Sequence, residues 1–353
     1  MIHESEIKSI LGHLQSCQEK EVIFDQKAIT AAYEQERGRQ SLAVKILSVF
    51  GGSMASLTFL GFLFIAGIYN SGPSLLFFGG VLIAGSIWLG KEYHKILFHT
   101  MSVSSFICGF ILLALGFIEQ HFHVNSICIL FILLALGSLV VVQSYIQIFV
   151  ALLIAGGSVL TLIIINNAYE FTNLYVVVLV VSIAYMFHKE AKLILSHKWI
   201  ARLYAPLKIG LIFNCISGFI LLTIHSGIAV YLLLTSAVNI ALILFQISRI
   251  LVLFHPVAIK TKVLIYTLSL LVLLPTMIFP AISGSILLLL LSFWVNYKTG
   301  FVISVISSFY FICHYYYDLN FSLLTKSLFL FASGIFFLAL YVFTQKKMSV
   351  EKV

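Results

Sequence analysis

The chain has 353 residues, of which 61% are hydrophobic and only 10% are charged, and its formal net charge is +8. Soluble domains hold about 25% charged and about 45–50% apolar residues, so these numbers exclude a soluble fold. They also exclude disorder, which requires high charge and low hydrophobicity, and five cysteines are too few for a disulfide scaffold. The class that remains is all-α: a polytopic transmembrane helical bundle in contact with the lipid bilayer.

Residues 1–43 are polar and are predicted to form a cytoplasmic segment rather than a signal peptide, which would place positive charge directly before an apolar stretch. Ile7, Leu11 and Leu14 repeat at helical spacing and indicate a short amphipathic helix. Asp25 is a candidate N-cap for a second helix. The two helices either rest on the inner face of the membrane or form a docking site for a cytoplasmic partner.

Residues 44–343 contain apolar runs close to the roughly 20 residues that cross a bilayer. Twelve spans are predicted, over residues 44–68, 73–90, 97–118, 125–142, 144–166, 171–187, 207–225, 227–247, 263–280, 283–297, 300–317 and 321–343. The tenth is short, and Pro275 and Pro280 precede it. It is either a full crossing or half of a re-entrant pair, which requires protein to cover the irregular backbone.

The basic residues predict the sidedness of these spans. With the N-terminus inside, twenty of 21 lysines and arginines fall in inner segments, as the positive-inside rule requires. Both termini, including a tail at 344–353, are therefore predicted to be cytoplasmic. The basic link 188–206 divides six spans (44–187) from six more (207–343) and is predicted to lie in the plane of the inner interface. The positive charge thus marks sidedness, and no nucleic-acid partner is predicted.

Lys326 is the only base predicted to lie inside a span, and charge within a bilayer is costly. Its amine either snorkels to the outer interface beside an aromatic belt, or turns inward onto an acidic side chain or the acidic group of a ligand. Ser322 lies on the same helical face as Lys326. The candidate functional or structural polar residues are therefore Lys326, Asp318, Ser322, Tyr316, Glu119 and Glu170.

The sequence offers little chemistry beyond these residues. His121 and His123 follow Glu119 on an outer turn, but a metal site requires further ligands, and none has suitable spacing. We therefore predict no metal, no cofactor and no catalytic residue, and an enzymatic activity is not expected. Neutral polar residues within spans, such as Asn239 and Gln246, either bond across helices or line a solute path.

The stretch YYYDLNFSLLTKSLFLFASG, residues 315–334, resembles the closing motif of a bacterial membrane-protein family catalogued as domain of unknown function 4401. The matching residues are Tyr315, Tyr316, Tyr317, Leu323, Leu324, Lys326, Ser327 and Gly334. The layout of short-linked spans is similar over roughly residues 40–345. The resemblance implies the bacterial inner (cytoplasmic) membrane and a membrane-anchored protein partner that carries a Gly-Asp-Tyr motif. It implies no activity and no site residue.

Two functional hypotheses follow. The first is an interaction or assembly partner of another membrane protein, supported by the lack of central acids and catalytic motifs. The alternative is a transporter or lipid-handling protein, supported by two sets of six spans. A membrane glycosyltransferase or polymerase is less well supported, because the predicted outer turns are very short.

Overall fold

A computed structural model describes residues 42–67, 71–92, 96–142, 144–196, 198–225, 229–253 and 259–318, together with scattered positions from 324 to 342. All regular secondary structure in these ranges is helical, and they contain no strand. The helices are α1 (Leu42–Ile65), α2 (Gly72–Glu92), α3 (Ile96–Glu119), α4 (Val124–Val141), α5 (Tyr145–Ile165), α6 (Glu170–His188), α7 (Glu190–Ser196), α8 (Lys198–Ile224), α9 (Ala229–Leu253), α10 (Ile259–Leu273), α11 (Pro280–Trp294) and α12 (Lys298–Asp318).

Eight of these helices are long and apolar enough to cross a membrane: α2 to α6, α8, α9 and α12. Shorter apolar helical stretches cover Met54–Ile65, Lys262–Met277 and Pro280–Trp294. The prediction of an all-helical, multi-pass bundle is confirmed, with eight helices that can span a membrane among the described residues. The count of twelve spans and the cytoplasmic position of the termini stay predictions. The predicted helices of residues 1–41 lie outside the described residues, and only isolated positions of the twelfth span are described.

Neighbouring helices alternate in direction, so the bundle has two distinct ends. At one end Gly90 of α2 lies against Ser102 of α3 and Gln147 of α5, and at the other Gly72 lies against Gln120. The first end, called the basic end below, also carries lysines and arginines of several helices and turns. They include Lys91, Lys189, Lys198, Arg202, Lys208, Arg249 and Lys298. The opposite end, called the far end, holds the turns that connect α3 to α4 and α5 to α6, together with the end of α8.

The basic link 188–206 is built differently from the prediction of one helix lying in the interface. Only α7, of seven residues, is separate, and from Lys198 onward the chain already belongs to α8. Pro206 lies inside α8, where it removes one backbone donor. Leu203 and Tyr204 just before it are buried. Packing against the bundle thus extends the predicted seventh span by the nine residues 198–206.

The buried apolar residues of the described ranges form four clusters, two of which are described here. The largest surrounds Phe219, Leu287, Leu288 and Phe311 and is built from α6, α8, α9, α11 and α12, with Leu273 of α10. The second surrounds Phe106 and Phe110 of α3 and involves α2, α4 and α5. The packing of α5 against α8 joins these two clusters.

Helix α11 is short and central. Its 15 residues rise about 22 Å, less than the roughly 30 Å of a hydrocarbon core. A 3₁₀ turn at Leu274–Met277 and Pro280 separate it from α10. Nine of its residues are buried, among them Pro280, Ser283 and Gly284. This is the region of the predicted tenth span, and α8, α9 and α12 cover it on several sides.

Candidate functional site at the start of helix 11

A polar stripe runs along one face of α9. Thr235, Asn239, Gln246 and Arg249 are spaced by four, seven and three residues, which places them on one side of a helix. Thr235, Asn239 and Gln246 are at most 1% exposed, whereas Arg249 is exposed at the basic end. These four residues are called the α9 stripe below.

The upper part of the α9 stripe bonds to two neighbouring helices. The hydroxyl of Thr235 donates to Asn173 Oδ1 of α6 over 2.9 Å. Asn239 Nδ2 donates to the carbonyl of Pro280 over 3.0 Å and to Ser283 Oγ over 3.2 Å. The side chain of Asn239 therefore lies at the first turn of α11, whose N-cap residue Phe279 offers no side-chain cap. A helix start carries partial positive charge from its unbonded N–H groups.

Several buried polar atoms around the α9 stripe have no hydrogen-bond partner in the part of the chain that the structure describes. They are Thr172 Oγ1, Asn173 Nδ2, Ser236 Oγ, Asn239 Oδ1, Gln246 Nε2 and Gln246 Oε1. More than nine in ten buried polar groups in proteins are bonded, and each exception costs about 1–3 kcal/mol. A concentration of exceptions along one helix therefore points to a site that binds water or a polar group.

A second buried amide shows how this bundle satisfies a purely structural polar residue. Gln147 of α5 is 1% exposed, and its Nε2 donates to Ser102 Oγ over 2.8 Å. Ser102 in turn donates to the carbonyl of Ser86 over 2.6 Å. The amide of Gln147 thus ties α5 to α2 and α3, whereas the amide of Gln246 bonds to nothing among the described residues.

A groove of about 400 Å³ opens between α6 and α9 near the far end of the bundle. Phe171, Leu174 and Leu234 form apolar walls that are exposed to the surroundings of the bundle. Asn173 and Thr235 also line the groove, so its polar side is continuous with the α9 stripe. The exposed Glu170 contributes a carboxylate to the lining at the start of α6.

A buried cation marks the basic end. Lys208 Nζ lies 3.3 Å from Glu190 Oε1, and the lysine side chain is 10% exposed. The same Nζ lies 4.3 Å from the ring centre of Tyr297 and 5.0 Å from that of Tyr204, within the range of cation–π attraction. The carboxylate and the rings come from α7, α8 and the turn before α12, so one lysine holds three segments together.

The residues that the sequence singled out do not converge on one site in the described part of the chain. Lys326 and Ser322 lie outside the described residues. Asp318 Oδ2 lies 3.9 Å from His314 Nδ1 on α12, and Tyr316 of the same helix is half-buried. Glu119 is exposed at the end of α3. Glu170 alone contributes to the groove.

The sequence identified Asn239 and Gln246 as polar residues within membrane spans, but it did not point to Asn173, Thr235 and Ser236. The signal that was present is the helical spacing of Thr235, Asn239 and Gln246, which ends at Arg249. The contribution of α6 is not encoded in any local spacing, because Thr235 and Asn173 are 62 positions apart.

No group of three or more potential metal ligands occurs among the described residues. His121 lies in the turn after α3 with a backbone φ of 55°, and both it and His123 are exposed. The absence of a metal site and of a cofactor stays a prediction.

The long apolar helices define a multi-pass membrane protein. The chain belongs to the family described as Domain of unknown function (DUF4401), whose model matches residues 41–347. This confirms the resemblance of the 315–334 stretch. A comparison with curated proteins finds no significant match, and a comparison with solved structures finds none either.

Proposed function

We propose that the protein handles a membrane lipid, which it binds in the groove between α6 and α9. One observation carries the proposal: a groove of about 400 Å³ joins exposed apolar walls to the buried amide nitrogen of Asn173, which has no partner among the described residues. Such a mixed lining matches an amphiphile, because ligand sites combine apolar walls with a few placed polar groups.

The charge at the groove suggests which lipid it binds. Glu170 lies at the first position of α6 and is exposed, so its carboxylate is available to a cationic headgroup. An acyl chain would lie along Leu174, Val177 and Leu234, and the polar part of the lipid would meet Asn173 and Glu170. The expected ligand class is therefore a lipid with an amine headgroup, such as phosphatidylethanolamine.

Filling the groove should weaken lipid capture strongly. We expect Val177→Trp to reduce crosslinking to a phosphatidylethanolamine with a photoactivatable acyl chain by about tenfold, which corresponds to a loss of about 1.4 kcal/mol of binding free energy. The measurement is the yield of crosslinked protein in vesicles of that lipid. Val178→Trp is the matched control, because Val178 is 55% exposed and does not line the groove.

Equal crosslinking of the Val177 and Val178 variants would overturn the proposal. Glu170→Gln adds a test of the headgroup, since it removes the negative charge and should abolish any preference for phosphatidylethanolamine over phosphatidylglycerol. The role of interaction or assembly partner for another membrane protein stays a prediction, and so does the alternative of a solute transporter.

We also propose that the basic end faces the cytoplasm, with both termini on that side, in the inner membrane of a bacterium. The support is the collection of lysines and arginines at one end of the bundle. Reporter fusions at residues 122 and 169 should give external signals, and a fusion at residue 196 should give an internal one. An external signal at 196 would contradict this orientation, because that segment is the most basic link of the chain.

A further inference from the structure

We propose that ordered water molecules bind inside the bundle at two levels of the α9 stripe, one beside Asn239 and one beside Gln246. The inference does not depend on lipid binding by the groove. It rests on the unpartnered atoms of Asn173, Ser236, Asn239 and Gln246, all of them in side chains at most 4% exposed.

The unpartnered atoms supply both donors and acceptors. Asn173 Nδ2 and Gln246 Nε2 can only donate, whereas Asn239 Oδ1 and Gln246 Oε1 can only accept. Ser236 Oγ can do both. A species that satisfies such a mixture must itself donate and accept, and these four residues are all uncharged. Water meets these requirements, since a buried water molecule makes about three hydrogen bonds to otherwise unsatisfied groups.

The unpartnered atoms lie at two levels of α9. Gln246 follows Asn239 by seven residues, a helical rise of about 10 Å, and between them Leu242 and Ile243 pack in the apolar core. Each level therefore requires its own hydrogen-bonding partner, because lipid cannot satisfy buried polar atoms.

The first level lies at the start of α11. Asn239 Nδ2 donates to the carbonyl of Pro280 and to Ser283 Oγ, so its Oδ1 faces elsewhere and has no partner among the described residues. Water bound here would donate to this oxygen.

Water-edited solid-state NMR in lipid bilayers tests the proposal on the full chain. Magnetisation from water should reach the side-chain amide of Gln246 severalfold faster than that of Gln147. Both glutamines are buried to at least 99%, so exposure does not separate them. They differ because Gln147 Nε2 is bonded to Ser102, whereas Gln246 has no partner in the described part of the chain. The two signals are assigned from Gln246→Leu and Gln147→Leu.

Equal transfer rates for Gln246 and Gln147 would overturn the proposal. Thermal stability provides a second readout that does not depend on the NMR assignment. In a dry stripe, Gln246→Leu removes unsatisfied polar atoms and should raise the unfolding temperature. In a hydrated stripe, it removes the groups that the bound water satisfies and leaves that water in an apolar site, so the unfolding temperature should fall. A rise would contradict bound water at Gln246, and a fall would support it.

Discussion

Replacing Gly284 by valine is expected to abolish folding of the bundle or to reduce its stability severely. Gly284 lies in the first turn of α11, where an added Cβ would fall within the ring of Phe219. Phe219 is 0% exposed and packs edge-on against Phe311, with 6.1 Å between ring centres. Overpacking of a buried core costs about 1–3 kcal/mol or more. Thermal unfolding followed by size-exclusion chromatography in detergent measures the loss.

Gly80→Val is the control for this prediction. Gly80 lies within α2, and an added Cβ there meets nothing within 4 Å, so only the modest helix propensities of glycine and valine differ. A second control shortens the opposing side chain. Phe219→Leu should partly rescue Gly284→Ala, because contacting residues show non-additive effects. If Gly284→Val folds as well as Gly80→Val, the close contact between α8 and α11 is wrong.

The class of fold was predictable from the sequence because the bilayer restricts the options so strongly. Long apolar runs can only be helices or barrels when no water satisfies the backbone, and the runs at 125–142 and 144–166 match α4 and α5 within one residue at each end. The boundary of α8 was not predictable. Residues 198–206 mix Lys198 and Arg202 with apolar side chains, a pattern that predicts a helix in the interface, whereas Leu203 and Tyr204 are buried against the bundle.

The candidate site was predictable only in part. The emphasis on charge directed attention to Glu119, Asp318 and Lys326, since charge in a bilayer is the costliest feature. The α9 stripe is neutral until Arg249, and a neutral amide looks the same in sequence whether it is bonded or not. Gln147 and Gln246 show this, because only their surroundings in the folded bundle distinguish a bonded amide from an unpartnered one.

Replacing Lys208 by methionine is expected to destabilise the basic end by about 2 kcal/mol, the size of a desolvated cation–π contact. The substitution keeps a flexible apolar chain but removes the charge that faces Glu190, Tyr204 and Tyr297. Lys298→Met is the matched control, because Lys298 is exposed at the start of α12, and surface changes usually stay within about 0.5 kcal/mol. Proteolysis of the α7 segment under native conditions, compared with global unfolding, measures the local effect.

A double-mutant cycle with Glu190→Gln separates the ion pair from the ring contacts. If the carboxylate carries most of the effect, Lys208→Met should cost little in the Glu190→Gln background, because the partner charge is already gone. If the rings of Tyr204 and Tyr297 carry it, the cost of Lys208→Met should be nearly the same in both backgrounds. The geometry favours the ring contacts as the main source of the stabilisation by Lys208. Glu190 is 27% exposed at the pair, so water weakens its attraction, whereas the ring of Tyr297 approaches the amine to 4.3 Å. A coupling energy as large as the full effect of Lys208→Met would contradict this assignment.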